Sequence, residues 1–273
     1  MKVVDFHIHP NMERARFKPW LFELCLKASP ELVKIFTNSI TGKRLVEFLD
    51  TQEVDYGVIL AETTPITGTV ENEFISNLAR DEARLIPFAS INPNTDSEPL
   101  NIFKRCVEEM GHRGLKLWPS YQFFYPHDPV MYPLYSLAQE KEIPVMFHIG
   151  SSKLVGAKLK YCDPIYLDDI ARDFPELTII MAHSGRGFWY DKAFHLSTLH
   201  ENIYMEISGL PPDNLLKYFP DLEKNADKII FGSDIPTIPS IKRNVEKIRN
   251  LPLKTATIEK ILGLNANKIL GLF

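Results

Sequence analysis

Eight short apolar segments recur along the chain, and this repetition constrains the fold more than any other feature. The segments are VVDFHIH, VDYGVILAE, RLIPFASINP, GLKLW, IPVMFHIG, LTIIMAHSG, IYMEISG and KIIFGSDIP. Most are nearly continuous in hydrophobic residues, which is typical of strands that are covered on both faces in a parallel sheet. The sequence therefore predicts an α/β fold with eight strands.

Segments with helical periodicity separate these strands. Leu167, Ile170 and Ala171, for example, fall on one helical face between the fifth and sixth strands. Alternating strands and helices predict βα units that either close into a barrel or spread into a doubly wound sheet. The 273 residues show no linker or internal repeat, so we expect one domain over residues 1–273, a length that suits a single barrel.

Two stretches are longer than one βα crossover requires. Residues 11–52 predict three helices inserted after the first strand, which would lie over the mouth of a barrel as a lid. Their apolar residues Trp20, Phe22 and Leu26 suit either that lid or the contact of a homodimer. After the eighth strand, Ile241 to Phe273 predict two or three additional C-terminal helices.

Composition and charge exclude several classes of partner. The formal net charge is −4 without a basic stripe, so we expect neither nucleic acid nor a membrane surface as a partner, but a small-molecule substrate. No apolar run approaches the roughly 18 residues of a membrane span, and the start lacks a signal-peptide pattern. An odd number of cysteines without CxxC spacing argues against disulfides and thiolate zinc sites. We therefore expect a soluble, unprocessed cytoplasmic protein.

Residues able to bind a metal occur in the first strand and at the ends of three others. Side chains alternate along a strand, so Asp5, His7 and His9 should share one face while the apolar residues between them share the other. The fifth, sixth and eighth strands end near further candidate ligands, which are His148, His183 and Asp234. In a βα barrel, all these strand ends meet at one rim.

Imidazole and carboxylate groups are ligands that Zn²⁺ and similar divalent ions accept. We expect His7, His9, His148 and Asp234 to bind one ion, with His183 as a further ligand or a base. Such an ion lowers the pKa of its bound water, and Asp234 would accept the proton of that water. Four unrelated core histidines are the weaker interpretation, because each buried imidazole then needs its own hydrogen-bond partner.

The motifs DFHIHP, GLKLWP, PVMFHIG, MAHSGRG, YMEISG and GSDIP, with EKILGLNANKILGL near the end, resemble the amidohydrolase superfamily. The resemblance is to its amidohydrolase 2 branch, related to aminocarboxymuconate semialdehyde decarboxylase, and it covers the chain outside residues 11–52. It implies a (β/α)8 TIM barrel with metal ligands at His7, His9, His148 and Asp234. It also implies that His183 binds a second metal or polarises the substrate.

Two departures from related families refine this expectation. The fourth strand ends in Trp118 where the branch often has a histidine, and resorcylate-type decarboxylases have ExH where this chain has His7. The second difference favours hydrolases and the muconate-semialdehyde type. The TatD-like nucleases have a glutamate on strand four, where this chain has Lys116, so phosphodiester cleavage ranks lower.

Three residues are candidates for substrate binding: Lys116, Trp118 and Arg186. Lys116 alternates with leucines, which indicates that its side chain points into the barrel. There it would form an ion pair with Glu206 or Asp5, bind a substrate carboxylate, or be carbamylated and bridge two metals. We prefer one metal. Arg186 would either offer a guanidinium fork to a carboxylate or be a solvated loop charge, and Trp118 belongs to an aromatic loop suited to an apolar pocket.

Other polar residues near the strand ends are less informative. Glu62 and Asn92 follow the second and third strands, where each would contact substrate or cap a helix. His112 and His127 show no partner in the sequence, so we expect surface or loop positions for both.

The sequence thus predicts a metal-dependent hydrolase that cleaves an amide, ester or lactone bond, with Zn²⁺ as the first candidate ion. One alternative is a metal-dependent non-oxidative decarboxylase of a small unsaturated or aromatic acid. A second alternative is a barrel that binds a metal or metabolite without turnover.

Overall fold

Eight parallel strands form the centre of the fold and are hydrogen-bonded to their neighbours in chain order. The computed structural model describes residues 1–13, 16–37 and 40–273, so residues 14–15 and 38–39 of the predicted insertion lie outside the described residues. The strands are β1 (Val4–Ile8), β2 (Tyr56–Leu60), β3 (Leu85–Ser90), β4 (Gly114–Leu117), β5 (Val145–Gly150), β6 (Ile179–Arg186), β7 (Ile203–Glu206) and β8 (Ile229–Ile230). Each of the eight predicted segments overlaps one of them.

The sheet closes into a barrel through backbone hydrogen bonds between β1 and the chain that follows β8. The N–H of Phe6 donates to the carbonyl of Phe231 at 3.0 Å, and the N–H of Asp234 donates to the carbonyl of His7 at 2.9 Å. The N–H of His9 donates to the carbonyl of Ile235 at 3.1 Å. These bonds show that the sheet is a TIM barrel and not an open doubly wound sheet, and they place Asp234 beside His7 and His9.

Helices cover the outside of the barrel, and additional helices occur in the insertion after β1 and in the C-terminal part of the chain. The inserted helices are α1 (Pro19–Ala28), α2 (Pro30–Thr37) and α3 (Gly42–Thr51). The next are α4 (Asn72–Ala79), α5 (Pro99–Glu108), α6 (Pro119–Gln122), α7 (Tyr132–Glu140), α8 (Tyr166–Asp173), α9 (Tyr190–Leu199) and α10 (Leu215–Tyr218). The C-terminal helices are α11 (Ile241–Arg249), α12 (Thr255–Glu259) and α13 (Asn265–Leu270), with a π-helical turn at Lys260–Leu264 between the last two. Among the described residues, none of these helices combines the length and apolar character that a membrane crossing needs.

Local sequence explains where the inserted helices begin. Proline occupies the first position of both α1 and α2, where its fixed φ suits a helix and its missing N–H has no helical partner to lose. The hydroxyl of Thr41 accepts a hydrogen bond from the N–H of Arg44 at 3.3 Å, which caps α3.

A short antiparallel hairpin follows β2 and is absent from the sequence prediction. Its strands are Glu62–Thr64 and Gly68–Val70, and an isolated bridge joins Gly68 to Phe17 of the insertion. The hairpin therefore connects the barrel rim to the chain that leads into α1, and it fixes the position of Glu62.

The barrel interior is filled by alternate residues of the strands, most of them apolar. Phe6 and Phe88 meet there edge to face, with ring centroids 5.6 Å apart. A Cβ atom at Gly114 of β4 would lie 2.3 Å from the ring of Phe88. The absence of a side chain at residue 114 therefore makes room for this aromatic pair in the closed barrel.

A β-bulge in β1 changes the predicted alternation of its side chains. The pairing with β2 matches Asp5 with Gly57 but Ile8 with Ile59, so β1 contains one extra residue between the two pairs. Phe6 consequently packs inside the barrel with Phe88, although its neighbour His7 also faces inward at the rim. The prediction that the apolar residues of β1 all share the opposite face is wrong, because the bulge reverses the alternation.

Candidate active site

A cavity of about 530 Å³ lies at the C-terminal ends of the strands. The residues that line it include six of the predicted site residues, namely His9, Trp118, His148, His183, Arg186 and Asp234. Leu21, Leu24 and Cys25 of α1 form part of the same wall. The inserted helix therefore covers the barrel mouth, as a lid would.

His7, His9 and Asp234 form a compact group of candidate metal ligands. The Nε2 atoms of His7 and His9 lie 3.6 and 3.3 Å from Oδ1 of Asp234, and one ligand atom from each residue lies within 4.8 Å of the others. Nε2 of His7 is buried and has no hydrogen-bond partner among the described residues. A divalent cation would satisfy this nitrogen, so the donor set fits a metal.

Each of these two histidines is supported from behind by a buried carboxylate. Nδ1 of His7 lies 3.2 Å from Oε2 of Glu206, and Nδ1 of His9 lies 3.6 Å from Oε2 of Glu62. This arrangement turns both Nε2 atoms towards Asp234 and favours the tautomer with a free electron pair on Nε2. From the sequence, Glu206 is expected only as a partner of Lys116, although its position at the end of β7 indicates that it lies at the rim.

His148 is linked to the group through His183. Nδ1 of His183 donates to the carbonyl of Ser208 at 3.0 Å, so its Nε2 can accept from Nδ1 of His148, which lies 3.1 Å away. This chain leaves Nε2 of His148 with a free electron pair, and that atom is buried without a hydrogen-bond partner among the described residues. His148 lies outside the 4.8 Å group of His7, His9 and Asp234, so its role as a fourth ligand stays a prediction.

A second group that could bind a cation consists of His7, His183 and Glu206. Its atoms already bond to one another through Ser208, whose hydroxyl donates to Glu206 at 2.7 Å and lies 3.0 Å from Nδ1 of both histidines. Because this second group is satisfied by hydrogen bonds, the group around Asp234 suits an ion better.

Burial and neighbouring charges set the protonation of the site. Burial lowers the pKa values of His7, His148 and His183 well below their ordinary value, so these imidazoles are neutral, as metal ligands must be. Burial also acts to raise the pKa of Asp234, but the hydrogen bond from His9 and the electrostatic attraction of neighbouring groups, including the guanidinium of Arg186, outweigh it and lower that pKa to about 2. Asp234 is therefore an ionised carboxylate at neutral pH.

His183 and Asp234 also have unusual backbone conformations. Both have a φ of 66°, and Ser184 follows with a φ of 47°. Such left-handed conformations cost free energy for residues other than glycine and are concentrated at functional sites. Their occurrence at two candidate site residues supports this rim as the site.

Lys116 lies inside the barrel as predicted, but without the expected ion pair. Its side chain is fully buried, and Nζ has no hydrogen-bond partner and no carboxylate oxygen of Glu206 or Asp5 within 4.0 Å, among the described residues. Nζ lies 4.5 Å from the centre of the Trp118 ring instead. Burial lowers the pKa of Lys116 to about 7, which makes a neutral amine accessible. Lys116 does not line the cavity, whereas Trp118 does.

The contacts of Asn92, His112 and His127 show where these three residues lie relative to the cavity and the surface. Asn92 bonds to Thr63 and to the N–H of Asn94 and is absent from the cavity wall, so it stabilises its own loop. His112 is 2% exposed, so the predicted surface position is wrong. Its Nδ1 donates a hydrogen bond to the carbonyl of Cys106 in the interior. His127 is half-buried against the ring of Tyr166.

Comparison with solved structures places this architecture among TIM-barrel proteins. An uncharacterised TIM-barrel protein from Bordetella bronchiseptica is 22% identical, with 100% of this chain and 99% of that chain covered and a TM-score of 0.84. A dihydroxybenzoic acid decarboxylase from Polaromonas with bound manganese is 18% identical, with 99% and 97% covered and a TM-score of 0.74. A 4-oxalomesaconate hydratase from Rhodopseudomonas palustris is 17% identical, with 99% and 96% covered and a TM-score of 0.69.

A family model described as amidohydrolase, of the amidohydrolase 2 type, matches residues 4–272. This range includes every candidate ligand and the whole of the barrel. The family is metal-dependent, and the similar decarboxylase from Polaromonas contains bound manganese. The chain therefore belongs to the amidohydrolase 2 family of metal-dependent TIM-barrel enzymes.

Proposed function

We propose that the protein is a metal-dependent hydrolase of a small molecule, with one divalent cation bound by His7, His9, His148 and Asp234. The observation that supports this proposal most is the convergence of the Nε2 atoms of His7 and His9 on Asp234, at 3.6 and 3.3 Å, at the wall of a closed-over cavity. Zn²⁺ is the first candidate because the expected donors are three imidazoles and one carboxylate.

A divalent cation held there by His7, His9, His148 and Asp234 would lower the pKa of a bound water from about 15.7 towards 7. The residues of the chain supply the other requirements. Asp234 is ionised and lies at the cavity wall, so it can accept a proton from water and pass it to the leaving group. His183 holds His148 by its ring nitrogen, which favours a positioning role for His183. The helix α1 limits the access of bulk water.

The substitution Asp234→Asn tests this proton path. With a substrate found in a panel of esters, lactones and amides, we expect kcat to fall by about 10²- to 10⁴-fold, because the amide cannot accept the proton. Circular dichroism should show an unchanged fold. A variant that kept full activity would show that Asp234 is not the proton acceptor.

Non-oxidative decarboxylation is the second candidate. It is favoured by the aromatic wall, in which the rings of Trp118 and Tyr121 stack with centroids 5.8 Å apart, and by the similarity to decarboxylases of dihydroxybenzoic acids. Release of CO₂ from a panel of hydroxybenzoates and unsaturated acids distinguishes the two candidates. CO₂ release with no hydrolysis of the other panel would replace the hydrolase proposal.

A further inference from the structure

We propose that the substrate carries a carboxylate group, and that Arg186 binds this group at the wall of the cavity. The proposal deepens the proposed function, since it concerns the substrate of the same site. It rests on the hydrogen bonds that orient Arg186, on the lack of an ion pair between its guanidinium and the described residues, and on the space that Gly209 leaves beside it.

Arg186 is held in place by reciprocal bonds with Ser151, across the ends of β5 and β6. The Nε–H of Arg186 donates to the carbonyl of Ser151 at 3.2 Å. In return, the N–H and the hydroxyl of Ser151 donate to the carbonyl of Arg186 at 2.7 and 2.9 Å. The side chain is therefore oriented before a ligand binds, which lowers the entropic cost of binding.

The outer part of the guanidinium forms no ion pair with the described part of the chain. Nε is used by Ser151, but no carboxylate of residues 1–13, 16–37 and 40–273 lies within 4.0 Å of an Arg186 nitrogen. Arg186 is half-buried and lines the cavity. A positive charge that is partly removed from water and faces a cavity is a binding site for an anion, and the planar fork matches a carboxylate.

Gly209 provides the space in which the guanidinium lies. A Cβ atom at this position would lie 2.4 Å from Nη1 of Arg186 and 3.2 Å from Oδ2 of Asp234. Its φ of 65° is a conformation that glycine adopts without strain. Gly209 thus keeps open the place where the Arg186 fork approaches the candidate metal ligands, so a bound carboxylate would lie next to the reacting part of the substrate.

The remaining walls of the cavity suit an apolar or aromatic body on that substrate. Trp118 and Tyr121 form one wall, and Leu21 and Leu24 of α1 belong to another. A small carboxylate with an unsaturated or aromatic body therefore fits this cavity better than an aliphatic polyol or a polyanion.

Binding of benzoate and of its neutral analogue benzamide tests the proposal by isothermal titration. The titrations use the full-length protein, first as purified and then after removal of metal by a chelator. We expect the protein to bind benzoate at least 10-fold more tightly than benzamide in both forms. In Arg186→Gln this preference should disappear, and Arg186→Lys should restore only part of it, because an ammonium cannot bind in bidentate fashion.

Gly209→Ala is a second variant that keeps the arginine but displaces it. We expect it to lose the preference for benzoate as well, while Arg172→Gln on the outer face of α8 leaves the preference unchanged. Circular dichroism and metal content of every variant show whether the fold and the metal site are intact.

Two results would overturn the proposal. One is equal binding of benzoate and benzamide by the unmodified protein, or an undiminished preference in Arg186→Gln. The other is a preference that disappears when the metal is removed, since the metal rather than Arg186 would then bind the carboxylate. The metal content and the activity panels are measured separately, so failure of this proposal is distinguishable from failure of the proposed function.

Discussion

Glu206 lies directly behind His7, with Oε2 of the carboxylate 3.2 Å from Nδ1 of the imidazole and both side chains fully buried. The hydroxyl and the N–H of Ser208 also donate to this carboxylate, each at 2.7 Å. Glu206 therefore fixes the ring of His7 so that Nε2 faces Asp234. It increases the basicity of that nitrogen, and hence its affinity for a metal.

Glu206→Gln should weaken metal binding by about 10- to 100-fold without removing a ligand, because the negative charge behind His7 is lost. Competition with a chromogenic chelator measures this affinity directly. Glu140→Gln, an exposed residue of α7, serves as the control and should have no effect. An unchanged affinity in Glu206→Gln would mean that the contact with His7 does not support the metal site.

Lys116→Met should leave one metal ion bound per chain, because the proposed ligands are His7, His9, His148 and Asp234 and do not include Lys116. The buried amine has no hydrogen-bond partner among the described residues, so an apolar side chain of similar length should be tolerated. Elemental analysis measures the metal, and a ¹³C nuclear magnetic resonance spectrum in labelled bicarbonate tests for a carbamate. A carbamate signal together with two ions in the unmodified protein would instead favour Lys116 as a bridge between metals.

His112 should make the protein sensitive to acid. Burial lowers its pKa from 6.5 to about 4 in the folded protein, so the unfolded chain binds a proton more readily between these values. Stability is therefore highest above about pH 6.5 and falls by about 3 kcal/mol as the pH decreases to about 4.

Urea unfolding of the unmodified protein and of His112→Gln at several pH values isolates this effect. The difference in unfolding free energy between the two proteins should shift in favour of the variant as the pH falls through that window. A difference that stays constant with pH would show that His112 does not contribute to acid sensitivity.

Gly114→Ala should destabilise the barrel because the added Cβ would lie 2.3 Å from the buried ring of Phe88. We expect a loss of about 1–3 kcal/mol in urea unfolding, as for other overpacked cores. The double variant Gly114→Ala/Phe88→Leu should be less destabilised than the sum of the two single variants, since the smaller side chain relieves the overlap. Additive losses would argue that the two positions are not in contact.

The sequence predicted an α/β fold with eight parallel strands because most strand segments are apolar on both faces and the segments between them have one apolar face. The choice of a closed barrel over an open sheet came from the resemblance to the amidohydrolase superfamily. These patterns are local, and so is the HxH pair. The meeting of His7 with Asp234 followed from the rule that parallel strands present their C-terminal ends at one rim. Both predictions therefore needed no knowledge of side-chain packing.

The features that escaped prediction depend on packing between distant residues. The bulge in β1 arises from its pairing with β2, and the supporting position of Glu206 arises from contact with a residue nearly two hundred positions away. Likewise, Lys116 meets the ring of Trp118 instead of a carboxylate. Periodicity reports which face a side chain occupies, but not which side chain it meets there.

The central claim is that His7, His9 and Asp234 bind a divalent cation, and metal analysis of the purified protein tests it most directly. The protein is prepared without added metal and analysed by inductively coupled plasma mass spectrometry, beside His9→Ala and the exposed control His195→Ala. We predict about one divalent ion per chain in the unmodified protein and in the control, and a large loss in His9→Ala. An unmodified protein that contains no ion, and whose melting temperature does not change when Zn²⁺ or Mn²⁺ is added, would contradict the claim.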